Sequence, residues 1–97
     1  MIEPKPYKNR TQKELLAALK EMQNKLQLRD WGISLEVGSV VPEKFILNHA
    51  NAGATIPDNN LLCADIWINT KQCALQNLDP LEVLYHEIFH ILSLIHI

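Results

Sequence analysis

The sequence predicts an α+β fold: an N-terminal helix, a small sheet of about three strands, antiparallel or mixed, and a C-terminal helix. Three observations predict it. A threonine-capped stretch after Thr11 repeats its apolar residues at helical spacing. Period-two stretches lie near Trp31 and on the C-terminal side of the turn Pro57-Asp58-Asn59-Asn60. A capped apolar segment starts at Asp79.

Residues 1–10 hold two prolines and several charges and read as an extended arm, mobile at its tip. Thr11-Gln12-Lys13-Glu14 is a capping box, with Thr11 as N-cap and Glu14 reaching back from the third helical position. Leu15, Leu16, Leu19, Met22 and Leu26 then form an apolar stripe, which predicts a helix to about Leu28 with a packing face. Arg29-Asp30-Trp31-Gly32 is a turn. Trp31, Ile33, Leu35 and Val37 alternate with Gly32, Ser34 and Glu36, a strand with one buried face that Gly38 and Ser39 end.

Phe45-Ile46-Leu47 fits a short helical turn or a strand, and the small-residue run Ala50–Ile56 is the second strand. Pro57-Asp58-Asn59-Asn60 is a turn. The third strand runs from Leu61 to Asn69, with Ala64, Ile66 and Ile68 on one side and Asp65, Trp67 and Asn69 on the other. Strand, tight turn and strand suggest a hairpin. Thr70–Leu78 connects, with room for one helical turn. Asp79 then caps the last helix, Pro80 fits its first position and Glu82 its third.

At 97 residues the chain is one small domain, 11–97, behind the arm. A domain this size gains from a metal, a partner or a disulfide. The net charge of −2 and the scattered lysines and arginines give no reason to expect nucleic acid. No stretch reaches the roughly 18 uncharged apolar residues of a membrane span, because Glu82, His86, Glu87, His90 and His96 interrupt the most apolar one. The N-terminus lacks the apolar core of a signal peptide. Cys63 and Cys73 form no paired metal spacing and read as free thiols, so a cytoplasmic protein is expected.

The last helix carries the chemistry: His86-Glu87-Ile88-Phe89-His90, the pattern H-E-x-x-H. Residues four apart on a helix return to within about 40° of each other and rise about 6 Å. His86 and His90 therefore share a face and can bind one metal ion, with Glu87 turned to the same side as general base. Such a pattern recurs by chance in roughly a few per thousand chains of this length. Its flanks decide in its favour: Val83, Leu84, Ile88, Phe89, Ile91 and Leu92 are all uncharged. Three ionisable groups on one side of an otherwise apolar helix are costly to bury without a purpose.

These residues resemble the extended signature of the zincin metallopeptidases, with a branched residue three before the first histidine and no charge in the variable positions. The wider chain, about Thr11–Leu92, is similar in arrangement to short prophage-encoded and SprT-like zincins: an amphipathic helix, a Trp-Gly-Ile strand start, a small-residue segment, an Ala-Asp-Ile-Trp-Ile-Asn strand and the metal helix. The resemblance implies zinc on His86 and His90, and hydrolysis of peptide bonds in peptide or protein substrates with Glu87 as base. It also implies a minimal sheet packed on the motif helix, whose edge strand pairs with extended substrate. Leu61–Asn69 is the expected edge, which makes Asp65 and Trp67 candidates for substrate binding.

Catalytic zinc usually has three protein ligands. His86, His90 and His96 have the ligand spacing of H-E-x-x-H-x-x-G-x-x-H, but Ser93 stands where that pattern has glycine. In a continued helix His96 lies about 9 Å along the axis from His90, out of reach. No methionine follows Met22, so the downstream methionine turn of that group is absent. His49, Asp65 and Tyr85 are further candidates for the third ligand. The helix is apolar nearly all round after His90 and reaches Ile97 without a cap. Two expectations follow: self-association through this end, or a longer zincin whose next helix brings the third ligand, the second being favoured. The alternative function is a catalytically incomplete zincin-like interaction module.

Overall fold

The computed structural model describes residues 6–95, with side chains to Leu94. The expected mobile tip of the arm and His96 lie outside the described residues. The elements in chain order are α1 (Gln12–Lys25), β1 (Gly32–Gly38), a 3₁₀ segment (Glu43–Asn48), β2 (Gly53–Asp58), β3 (Cys63–Asn69), α2 (Thr70–Leu75) and α3 (Pro80–Ile95). The fold is α+β, as the periodicities require.

The Thr11 hydroxyl accepts the N–H of Glu14 at 3.1 Å and so caps α1. The same hydroxyl donates to Glu14 Oε1 at 3.4 Å, so the expected reach of Glu14 back to Thr11 is made to its side chain. The helix stops at Lys25, short of the expected Leu28. Gln27 takes a left-handed φ of 58°, and the Leu28 N–H bonds back to the Gln23 carbonyl at 2.8 Å. That is a helix-ending turn built without the usual glycine. Leu28 is thereby swung into the core, fully buried. α2 ends the same way, on Asn77 with φ 53° and a 2.8 Å bond from Leu78 N–H to the Cys73 carbonyl.

The sheet order is β1-β3-β2, with β1 parallel and β2 antiparallel to β3. Leu35 and Thr55 both stand opposite Ile66. β2 and β3 form the expected hairpin, with β2 later than its small-residue run implied. Pro57 and Asp58 belong to the strand, and the turn follows them. Its Asp58 carboxylate accepts the N–H groups of Asn60 and Leu61.

One expectation is overturned: β3 is the central strand and not an edge. Its sequence shows why, since it is apolar on both sides. Ala64, Ile66 and Ile68 join the main core, while Trp67 on the other face packs with Phe45 and Ala54. A strand buried on both faces belongs in the middle. Phe45 supplies that second cover from the 3₁₀ segment, its ring 6.5 Å from Trp67.

The main core lies between the sheet and helices α1 and α3. Leu15, Leu19, Ile66, Leu84, Ile88 and Ile91 are fully or almost fully buried there. Each such side chain contributes about 1.5–3 kcal/mol relative to exposure. α3 is thus pinned along one face against α1, β2 and β3. Among the described residues no helix is long and apolar enough to cross a membrane.

Candidate metal centre

The start of α3 is fixed by one buried carboxylate. Asp79 Oδ1 accepts the N–H of Leu81 at 3.0 Å, the N-cap bond the sequence calls for. The same carboxylate receives Arg10 Nε at 3.1 Å and Arg10 Nη2 at 2.8 Å, a two-bonded fork. These bonds raise the Arg10 guanidinium above its ordinary value. The Tyr7 N–H adds a bond to Asn77 at 3.1 Å. The inner end of the arm is therefore docked at the foot of α3.

Past the cap, α3 turns Leu84, Ile88 and Ile91 into the core. Glu82, His86, His90 and Leu94, spaced four apart, line a cleft on the other side. His86 and His90 are exposed, their Nε2 atoms 3.2 Å apart and their rings edge-to-face. Glu87 lies between them in sequence but is only 5 % exposed. Ligand atoms of all three residues fall within 4.8 Å of one another, close enough to hold a metal ion.

The spacing of the two imidazoles suits one shared metal ion. Two nitrogens each about 2.0–2.1 Å from a tetrahedral zinc stand roughly 3.3 Å apart. The observed 3.2 Å between the two Nε2 atoms is close to that separation. Glu87 is held differently: the Thr55 hydroxyl donates to its Oε1 at 2.6 Å. Gly53, on the same face of β2, makes room for the carboxylate. A Cβ at that position would stand 3.1 Å from Glu87 Oε2 and only 2.6 Å from Val83 Cγ1.

The cleft, about 860 Å³, lies between α3 and β2 with the loop before it. Among the described residues β2 has a partner on one side only. The Asn69 N–H bonds to the Ala52 carbonyl at 2.8 Å, so in the antiparallel alternation Ala52, Ala54 and Ile56 face β3. The backbone groups of Gly53 and Thr55 then face outward at the free edge. Pro57, which has no N–H, also takes an outward-facing position, as an edge strand allows.

His86, Glu87 and His90 are thus brought together as the sequence implied. Asp65 and Trp67 are not part of this cleft. Trp67 is 2 % exposed beneath Phe45, and Asp65 pairs with Lys44 at 3.3 Å. The substrate-binding expectation for both rested on β3 being an edge, and the free edge beside the motif is β2. His49 is exposed with Nδ1 against the Ile46 carbonyl, and half-buried Tyr85 packs on the core. Among the described residues no other His, Cys, Asp or Glu joins the cluster.

Sequence reasoning missed Thr55 and Gly53. Their alternate spacing in a strand places them on one face. Nothing in the sequence says that this face meets Glu87. Scans against family models, curated proteins and solved structures find no match to this chain.

Proposed function

We propose that this protein is a zinc-dependent peptidase of the zincin kind. One observation carries the reading: two exposed imidazoles set 3.2 Å apart, beside a buried carboxylate, at the wall of a cleft bordered by a free strand edge. His86 and His90 would hold the metal, which when bound supplies a Lewis acid to polarise the scissile carbonyl and the attacking water.

The chain's own groups divide the remaining work. The outward N–H and C=O groups of Gly53 and Thr55 pair with an extended peptide and set its register, and Pro57 interrupts the row of donors. Glu87 takes one proton from the attacking water as its oxygen bonds to the carbonyl carbon. It returns that proton to the amine nitrogen as the C–N bond breaks, so one water is consumed and one acid and one amine are released.

The test is metal analysis of the purified protein together with cleavage of an unfolded, fluorescently labelled casein. Stoichiometric zinc and cleavage by the wild type, lost in Glu87→Gln, are expected. Equal cleavage by both proteins would remove Glu87 as the base.

A second reading has its own observation. Only two imidazoles converge among the described residues, and Phe89 on the same helix is 57 % exposed. A zincin-like scaffold that associates through this helix without catalysis fits those facts. It predicts a concentration-dependent oligomer, and a zinc-loaded active monomer rules it out.

A further inference from the structure

A glutamate has three side-chain torsions, the last of them broad, so a lone Glu on a helix sweeps a wide cone. A general base must instead hold one oxygen at a fixed place. Two features of β2 remove the freedom of Glu87. The Thr55 hydroxyl ties down Oε1 at 2.6 Å, the short distance of a bond to a carboxylate. A hydroxyl has one proton to give, so its 3.4 Å approach to the Glu87 carbonyl is the lesser contact. Thr55 is β-branched and therefore stiff about its own first torsion. Gly53, two positions earlier on the same face, keeps the other side clear, since a Cβ there would crowd Oε2 and Cγ of Glu87. One oxygen is anchored, and the other lies against the open backbone of Gly53 at the cleft.

We propose that Thr55 is a positioning residue for Glu87, tying Oε1 so that Oε2 is the oxygen presented for proton transfer. This role rests on the peptidase reading of the same site. The competing explanation is structural: Thr55 merely clamps β2 to α3. Among the described residues no ion pair fixes Glu87, and its side chain has no hydrogen-bond partner other than Thr55. The hydroxyl therefore sits where the rotamer is decided.

The experiment uses Thr55→Val, which keeps the shape and loses the hydroxyl, and Thr55→Ser, which keeps the hydroxyl. With a quenched fluorogenic peptide and zinc-loaded protein, Thr55→Val should lose about 10- to 100-fold in kcat. KM should stay within about twofold, and Thr55→Ser should stay within about threefold of wild type in kcat. A readout independent of activity accompanies it: urea unfolding of wild type, Thr55→Val, Glu87→Leu, which has no acceptor for the hydroxyl, and the double variant. The two positions should couple by about tenfold in the unfolding constant.

Wild-type kcat in Thr55→Val overturns the proposal. So does a change confined to KM, or a folded Thr55→Ser as impaired as the valine. Coupling below about twofold overturns it as well. A wild type that cleaves nothing overturns the peptidase reading instead, and the urea cycle still decides whether Thr55 holds Glu87.

Discussion

Two carboxylates are buried on or at the start of α3, two turns apart, and they are held in opposite ways. Asp79, 3 % exposed, receives two bonds from the Arg10 guanidinium and one from the Leu81 N–H. Glu87, 5 % exposed, receives one bond from a neutral hydroxyl, and among the described residues it has no salt-bridge partner. Burying a carboxylate costs several kcal/mol unless partners offset it. Asp79 is offset within the fold, and its duties are structural: it starts the helix and docks the arm. Glu87 has acceptor capacity left over beside two converging imidazoles. It also lies at the wall of the cleft, which Asp79 does not line.

If that contrast is right, substitutions at the two ends of the comparison should separate activity from stability. Glu87→Gln should lower peptide cleavage by about 10²–10⁴-fold, the usual contribution of a positioned base. Its urea midpoint should stay at or above that of wild type, because a neutral amide replaces a sparsely offset buried carboxylate. A large loss of stability would show that Glu87, like Asp79, is structural.

Gly53→Ala comes next. The added methyl would stand 2.6 Å from Val83 Cγ1, a buried group with little room to retreat. Overpacking of this kind costs about 1–3 kcal/mol. Calorimetry should show the lower melting temperature. Cleavage should fall further than stability does, because the methyl also presses on the Glu87 carboxylate.

Asp79→Ala should do the reverse of Glu87→Gln. Loss of the cap alone costs about 0.5–2 kcal/mol, and Arg10 loses its partner too. Zinc content and kcat at low temperature should be retained. A loss of zinc at full folding would erase the distinction between the two acids.

The smallest effect lies near Asp79. Burial first, and the charge of Asp79 second, push the Cys73 thiol up from 9.0 to about 11. The unfolded thiol therefore ionises first as pH rises. The stability this provides is intact below about pH 9 and fades between about 9 and 11. Urea midpoints across that range should fall less steeply in Cys73→Ala, which starts lower because it leaves a cavity.

Much of this was legible in the chain itself. Thr11, Asp79 and Pro80 mark helix starts through local bonds that need no partner from elsewhere. The H-E-x-x-H spacing converges because a helix has a fixed pitch. The helix ends were less legible, since Gln27 and Asn77 take left-handed conformations without a glycine to announce them. The sheet order was misread because period-two patterning tells which side chains share a face, and says nothing about which strand lies beside which. Trp67 on the outer face of β3 was the available clue, an apolar side chain that needed its own cover.

By itself, then, the sequence determined the elements and the three-residue group on α3, since both follow from periodicity and local bonding. Only the tertiary structure decided that β2 is the free edge beside that group. It alone brought Thr55 and Gly53 to Glu87, and Arg10 to Asp79. Those contacts join residues 32 and 69 positions apart. They exist because the core packs α3 across the sheet, an outcome of shape and burial that no local pattern encodes.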